Sequence, residues 1–262
     1  MKDVELNPFN FKTRKLLQIG VALILSIFLI GYFLLIKKTP ESKLKNNTVY
    51  LENTNLYVFD DTYSLSQYPD KVLMHYPYLL VVKPSQQTSY IYNLSTKSKE
   101  KEVKQSLLDY DGNNILYNTG KDTLFNQENL GVLCDLGFIK SANEVLCVIK
   151  VDPNFSENKL ISIDIATKKQ KDIYTSKNLI TAISIVNDIT YLGVNDLYTH
   201  KNYILIDKDQ FEFLDVASFI YEMDSKPFVA SLKSTFNNNI ESYYLIEDEK
   251  VVEQEGKIDL YK

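Results

Sequence analysis

The sequence predicts an all-β domain of repeated small antiparallel sheets, carried on the C-terminal side of one membrane-spanning helix. Three observations point there. A 21-residue run without a charge lies between Lys15 and Lys37. Short strands with period-2 alternation follow one another through residues 48–262. A strand–turn–strand theme returns along that same stretch, with most of its copies spaced roughly as small four-stranded sheets would require.

The first element is a short basic tail, residues 1–15, holding Lys2, Lys12, Arg14 and Lys15. The second is the run LLQIGVALILSIFLIGYFLLI, residues 16–36. At the helical rise it is about 31 Å long, which matches a hydrocarbon core. The expected membrane-anchor residues are Leu16, Leu17, Ile19, Val21, Leu23, Ile24, Leu25, Ile27, Phe28, Leu29, Ile30, Phe33, Leu34, Leu35 and Ile36. A cleaved signal peptide has a shorter apolar run and a small-residue cleavage site, whereas Lys37-Lys38-Thr39-Pro40 follows here, so an uncleaved anchor is expected. Ala22 and Ser26 form one small-xxx-small pair, a weak signal for helix pairing. Four basic residues flank the helix on each side (Lys37, Lys38, Lys43 and Lys45 after it), so charge does not orient it. Long domains cross membranes largely regardless of charge, which favours an extracytoplasmic C-terminal domain. Residues 37–47, polar and with one proline, read as a linker.

Residues 48–262 are the β-rich domain. Ile161, Ile163 and Ile165 alternate with Ser162, Asp164 and Ala166, the pattern of a half-buried strand. Similar runs are YLLVV (78–82), SYIYNL (89–94), VLCVIKV (145–151), YILID (203–207) and YYLIE (243–247). A polar residue closes the first strand of each repeat at Asp60, Asn93, Asn118, Asp164, Asp207 and Glu247, giving gaps of 33, 25, 46, 43 and 40. One small sheet cannot bury its own faces; sheets stacked around an axis bury each other.

In these repeats the chain resembles the β-propeller proteins, in particular WD-repeat-like and quinoprotein-like blades. IDIATKK (163–169) and YNLSTKS (92–98) carry the likeness, an apolar strand ending in Asp or Asn followed by a Thr-Lys turn. The resemblance covers roughly residues 48–262 and implies a closed ring of five to seven blades. It departs from the pattern in having no Trp-Asp dipeptide, few glycines and two short gaps. Another antiparallel β architecture, a sandwich or two small β domains, is the alternative. KIDLY (257–261) would complete the first blade and remove an exposed edge.

Composition narrows the function classes. Residues 1–38 hold six basic and two acidic side chains against a net −5 for the chain, leaving −9 on the rest. An acidic domain repels phosphate backbones, so nucleic acid is not an expected partner. The basic flanks suit anionic lipid headgroups, making the bilayer a partner. The eight glycines form neither a nucleophile elbow, a dinucleotide fingerprint nor a phosphate loop. The two histidines, His75 and His200, and the two cysteines lack zinc-ligand spacing; His75 reads as a turn or partly buried residue and His200 as a loop residue. Asp109-Tyr-Asp111-Gly112-Asn113-Asn114 starts like a calcium loop but lacks its later ligands, and reads as a hairpin turn. Glu247-Asp248-Glu249 reads as a solvated turn. Cys134 and Cys147 lie in apolar runs, and two readings stay open: buried thiols, or one disulfide between facing strands.

No cofactor or metal is implied, and no catalytic motif is present. The expected function is a single-pass, membrane-anchored module for protein–protein interaction or scaffolding in an envelope-associated assembly, presenting a loop-built face rich in tyrosine (Tyr63, Tyr68, Tyr76, Tyr78, Tyr198, Tyr203). The alternatives are an anchored ligand sensor or surface recognition protein, and an envelope carbohydrate hydrolase using paired carboxylates.

Overall fold

The computed structural model describes residues 48–52, 55–64, 70–151, 157–207, 209–213, 216–223, 225–232, 240–247, 250–254 and 258–261. The expected membrane span and its linker lie outside these residues. Among the described residues no helix is long and apolar enough to cross a membrane.

Among the described residues twenty-four strands form six four-stranded antiparallel sheets, each a blade. Blade 1 joins β1 (Val49–Glu52), β2 (Asn55–Val58) and β3 (Asp61–Ser64) to β24 (Ile258–Tyr261). Blade 2 is β4 (Lys71–His75), β5 (Tyr78–Lys83), β6 (Thr88–Asn93) and β7 (Ser98–Val103). Blade 3 is β8 (Ser106–Tyr110), β9 (Ile115–Asn118), β10 (Thr123–Phe125) and β11 (Glu128–Asn129). Blade 4 is β12 (Leu136–Ser141), β13 (Glu144–Lys150), β14 (Asn158–Asp164) and β15 (Gln170–Ser176). Blade 5 is β16 (Leu179–Val186), β17 (Ile189–Asp196), β18 (Lys201–Ile206) and β19 (Asp209–Phe213). Blade 6 is β20 (Ala217–Met223), β21 (Lys226–Leu232), β22 (Ile240–Glu247) and β23 (Lys250–Gln254). Within blades 2–6 the strands lie in chain order, and the first strands β4, β8, β12, β16 and β20 pack on one another towards the axis. Blade 1 is closed by β24, which pairs antiparallel with β1 through Leu51↔Ile258 and Val49↔Tyr261. The ring is a six-bladed propeller.

Alternation explains why the blades stack. On β5, Leu79 and Val81 face the cluster shared with blades 1 and 6, while Leu80 and Val82 face the cluster shared with blade 3. On β13, Val145 and Cys147 point to blade 3, and Leu146 and Val148 to blade 5. On β21, Phe228 and Ala230 turn one way and Val229 the other. Every apolar cluster therefore spans neighbouring blades, and each fully buried Leu or Ile contributes about 1.5–3 kcal/mol to holding two sheets together. Along β14 and the turn after it the alternation holds at the far end, with Ile163 and Ile165 packed on blade 3 and Asp164 and Ala166 exposed; nearer its start Leu160 and Ser162 on the opposite face are buried as well, Leu160 against blade 5.

The repeat register also needs one correction. Asn93, Asp164, Asp207 and Glu247 each follow or end the third strand of their blade, but Asn118 ends β9, a second strand. The equivalent position in blade 3 is Asn126, after β10, which changes the irregular gaps 25 and 46 to 33 and 38. The scarcity of glycine has its own cause. The tight turns place Lys97, Asn126, Lys168 and Asp207 at left-handed φ of 52°, 49°, 57° and 52°, positions glycine usually fills. In the Asp164 turn the carboxylate compensates, accepting from the Thr167 backbone N–H at 2.7 Å and its hydroxyl at 2.6 Å. Gly137 serves packing instead: a Cβ there would stand 2.4 Å from Leu116 Cδ2 of blade 3.

Candidate binding site at the end of the axis

The inner strands β4, β12, β16 and β20 bring polar residues to one end of the axis, around a cavity of about 280 Å³. From β4 and its turn come Met74, His75 and Tyr76; from β12 come Phe138, Ile139 and Lys140. β16 and the turn after it supply Ser184, Ile185, Asn187 and Asp188, and β20 supplies Glu222. The Asn187-Asp188 pair has φ of 52° and 63°, two successive left-handed residues that close β16 onto β17 in a tight hairpin. Asn187 Nδ2 then donates to the Ser225 carbonyl at 2.7 Å, fastening that turn to blade 6.

Behind the wall stands Asp109, near the end of β8 and 3% exposed. Its Oδ2 accepts from His75 Nδ1 at 2.9 Å and from the Ile139 backbone N–H at 2.6 Å. Its Oδ1 accepts from the Tyr110 N–H at 2.8 Å. One buried carboxylate thus pins blades 2, 3 and 4 to each other. The His75 ring also stacks on Phe138, with centroids 4.5 Å apart and planes 13° from parallel. Burial pulls the imidazole pKa down, but the Asp109 hydrogen bond and the charges of Asp109, Asp111 and Glu222 outweigh it, and the net direction is upward. Glu222 is raised by burial, partly offset by His75, and makes no hydrogen bond or ion pair with the described residues. Lys140, by contrast, is paired with Glu144 at 3.0 Å.

Chemically, His75 is oriented by a carboxylate as a general base would be, and Ser184 lines the same cavity. Among the described residues Ser184 makes no hydrogen bond to His75. What the wall supplies is a fixed pattern of charge beside two aromatic rings, held on strand ends.

The structure distributes the sequence candidates unevenly. Cys134 and Cys147, both fully buried, are joined by a disulfide, with Cα atoms 5.4 Å apart. Cys134 lies in the loop leaving blade 3, where Thr123 Oγ1 accepts from its N–H at 2.8 Å and Asn118 Nδ2 donates to its carbonyl at 2.7 Å. The bridge ties that loop to β13 of blade 4. Of the tyrosines expected on loops, Tyr76 and Tyr198 lie in turns, 47% and 81% exposed. Tyr63, Tyr78 and Tyr203 sit on strands β3, β5 and β18 and are half-buried, and Tyr68 lies outside the described residues. The Tyr63 hydroxyl bonds that of Tyr92, which donates to Asp61, and burial pushes Tyr63 up to about 12. Asp111 folds the β8–β9 turn, accepting from Asn113 and Asn114 N–H at 2.9 and 2.7 Å, with Gly112 at φ 101°. His200 is exposed in the β17–β18 turn, and Glu247 pairs with Lys226 at 2.7 Å. The membrane-anchor residues 16–36 lie outside the described residues. Asp188 and Glu222 were not singled out by sequence, and Asp109 was read only as part of a hairpin turn, whereas it lies buried on β8. The Asn-Asp step between two β-branched runs was the one available signal, marking the Asp188 turn.

No protein-family model matches the chain, and no curated relative does. Solved structures do. A chain from a nidogen/laminin complex superposes with a TM-score of 0.52 at 9% identity, covering 80% of this chain and 92% of that one. The shared fold is the β-propeller. Propellers of Myceliophteria thermophila Cps50 (Swd1) and Kluyveromyces lactis Hsv2 align at TM-scores of 0.43 and 0.39, each at 9% identity. The first covers 73% of this chain and 72% of its own, the second 77% and 71%.

Proposed function

We propose that this chain is a membrane-anchored interaction module, a propeller that grips a protein partner at the axial cavity. The observation that carries the reading is the cavity itself: its lining comes from the ends of four inner strands, so the contact groups are preorganised, and exposed Tyr76 stands at its wall as an anchor side chain. The uncharged run 16–36 supports anchoring. The buried Cys134–Cys147 bridge supports an extracytoplasmic domain, because disulfides persist in oxidising compartments. In-cell crosslinking of the full-length protein, beside a version beginning near Lys43, tests this. Recovery of the same few envelope proteins by both, lost in Tyr76→Ala, is the expected result. Recovery of nothing by either form ends the proposal.

A second reading, an anchored glycoside hydrolase, is favoured by one observation. Asp188 and Glu222 share the cavity with Tyr76, and burial raises Glu222 in the direction a general acid needs. Release of reducing sugar from envelope polysaccharide that disappears in Glu222→Gln would establish it; no release by the unmodified protein disposes of it.

A further inference from the structure

We infer that the axial cavity takes an organic cation of side-chain size, the ammonium or guanidinium of a lysine or arginine on the partner. The inference rests on the interaction-module reading and names what enters the site.

The charges on the wall carry it. Glu222 and Asp188 are the acidic groups, and Lys140 and His75 the basic ones. Lys140 is engaged by Glu144 and His75 by Asp109. Neither acid has a hydrogen bond or ion pair with another described residue; Asp188 is exposed at the rim, while Glu222 is half-buried and offset only in part by His75, so the wall keeps a partly desolvated carboxylate available to a cation. A partly desolvated carboxylate attracts a cation more strongly than one in bulk water. Tyr76 offers an aromatic ring to the same space, and aromatic faces attract guanidinium and ammonium groups. The size agrees: 280 Å³ lies at the lower edge of small-molecule pockets, room for one side chain rather than a larger ligand. A bare metal ion fits less well, since no group of three His, Cys, Asp or Glu side chains able to hold one occurs among the described residues. The −9 balance outside residues 1–38 draws cations towards the domain.

The site is also pH-sensitive in a definite direction. Asp109, Asp111 and Glu222 are the charged groups acting on His75, with Lys140 and Asp188 elsewhere on the wall. Acidification puts a positive charge on His75 and neutralises Glu222, and both changes oppose a bound cation.

The experiment uses the full-length protein in detergent micelles and two probes, Nα-acetyl-arginine amide and its uncharged counterpart Nα-acetyl-norleucine amide, followed by saturation-transfer NMR. The arginine probe should bind in the millimolar range and the norleucine probe at least about tenfold more weakly, ~1.4 kcal/mol. Glu222→Gln should weaken the arginine probe by a similar factor without lowering Tm, since the side chain has no internal bond to lose. Moving from about pH 8 to about pH 5.5 should weaken it several-fold. Equal binding of the two probes, no binding of either up to about 10 mM, or an unaltered affinity in Glu222→Gln overturns the inference. Its failure is distinct from that of the module reading: partner capture that persists in excess arginine probe rejects the cation alone, whereas absent capture rejects the module.

Discussion

Replacing Asp109 by alanine should be among the most damaging single changes in the ring. The carboxylate is buried and accepts three hydrogen bonds, from His75 of blade 2, Tyr110 of its own blade 3 and Ile139 of blade 4. Removing it strands the Ile139 and Tyr110 N–H groups, each costing about 1–3 kcal/mol if left unpaired. It also leaves His75 without its partner, and breaking a buried pair costs about 3–5 kcal/mol. These losses overlap, so a total of about 3–5 kcal/mol is expected, which for a domain of this size lowers Tm by about 6–20 °C. The chain has no tryptophan, so unfolding is best followed by far-UV circular dichroism with tyrosine fluorescence as the second probe. His75→Ala and the double variant complete a cycle, in which the two side chains should couple by about 1–3 kcal/mol. A loss under about 1 kcal/mol in Asp109→Ala, or additive single effects, would refute the three-blade pin.

Other outcomes follow from the same geometry. His75 is raised in the folded state, so its contribution is fully present below about pH 6.5 and is lost as pH rises through the folded value. Tm should therefore fall as pH rises above about 6.5, and His75→Gln should flatten that slope. Asn126→Gly relieves a left-handed φ of 49° but loses the hydrogen bonds of the Asn126 side chain to Ile115 N–H and Asn114, so Tm should fall rather than rise, by about 2–4 °C per kcal/mol lost. Converting both Cys134 and Cys147 to alanine opens a loop with a sequence separation of 13 and should cost about 3 kcal/mol in urea unfolding. On protein taken directly from cells, a maleimide gel shift should appear only after reduction; a shift without reductant would contradict an oxidising location.

Much of the fold was legible because the signals were local. Period-2 apolar runs such as YLLVV mark strands wherever they fall, and the Asp164 and Asn93 turns announce themselves by their Thr-Lys partners. Blade number was harder to read. In blade 3 the strands are only two to four residues long beyond β8, so Asn118 and Asn126 compete for the same role within eight positions. For β14 alternation placed Asp164 and Ala166 outward correctly, but by itself it does not reveal that a second sheet covers Leu160 and Ser162 on the same face. The candidate site was nearly invisible. Asp109 sits in a turn-like Asp-Tyr-Asp-Gly sequence, and an irregularity in β8 between Leu107 and Asp109 turns it inward. Its partners His75 and Ile139 lie about 30 residues away on either side, joined only when three blades meet.

The pairing of β24 with β1 has a consequence for how the protein is made. About 200 residues separate the two strands, so the first sheet is completed only after the strands of the other five blades have been made. Until then the first sheet presents β1 as an open edge while the later blades add one beside the next. Such long-range closure slows folding and leaves a pairing edge available to a neighbouring nascent chain. Synthesis rate and local chain density would then govern yield as much as the stability of the finished ring.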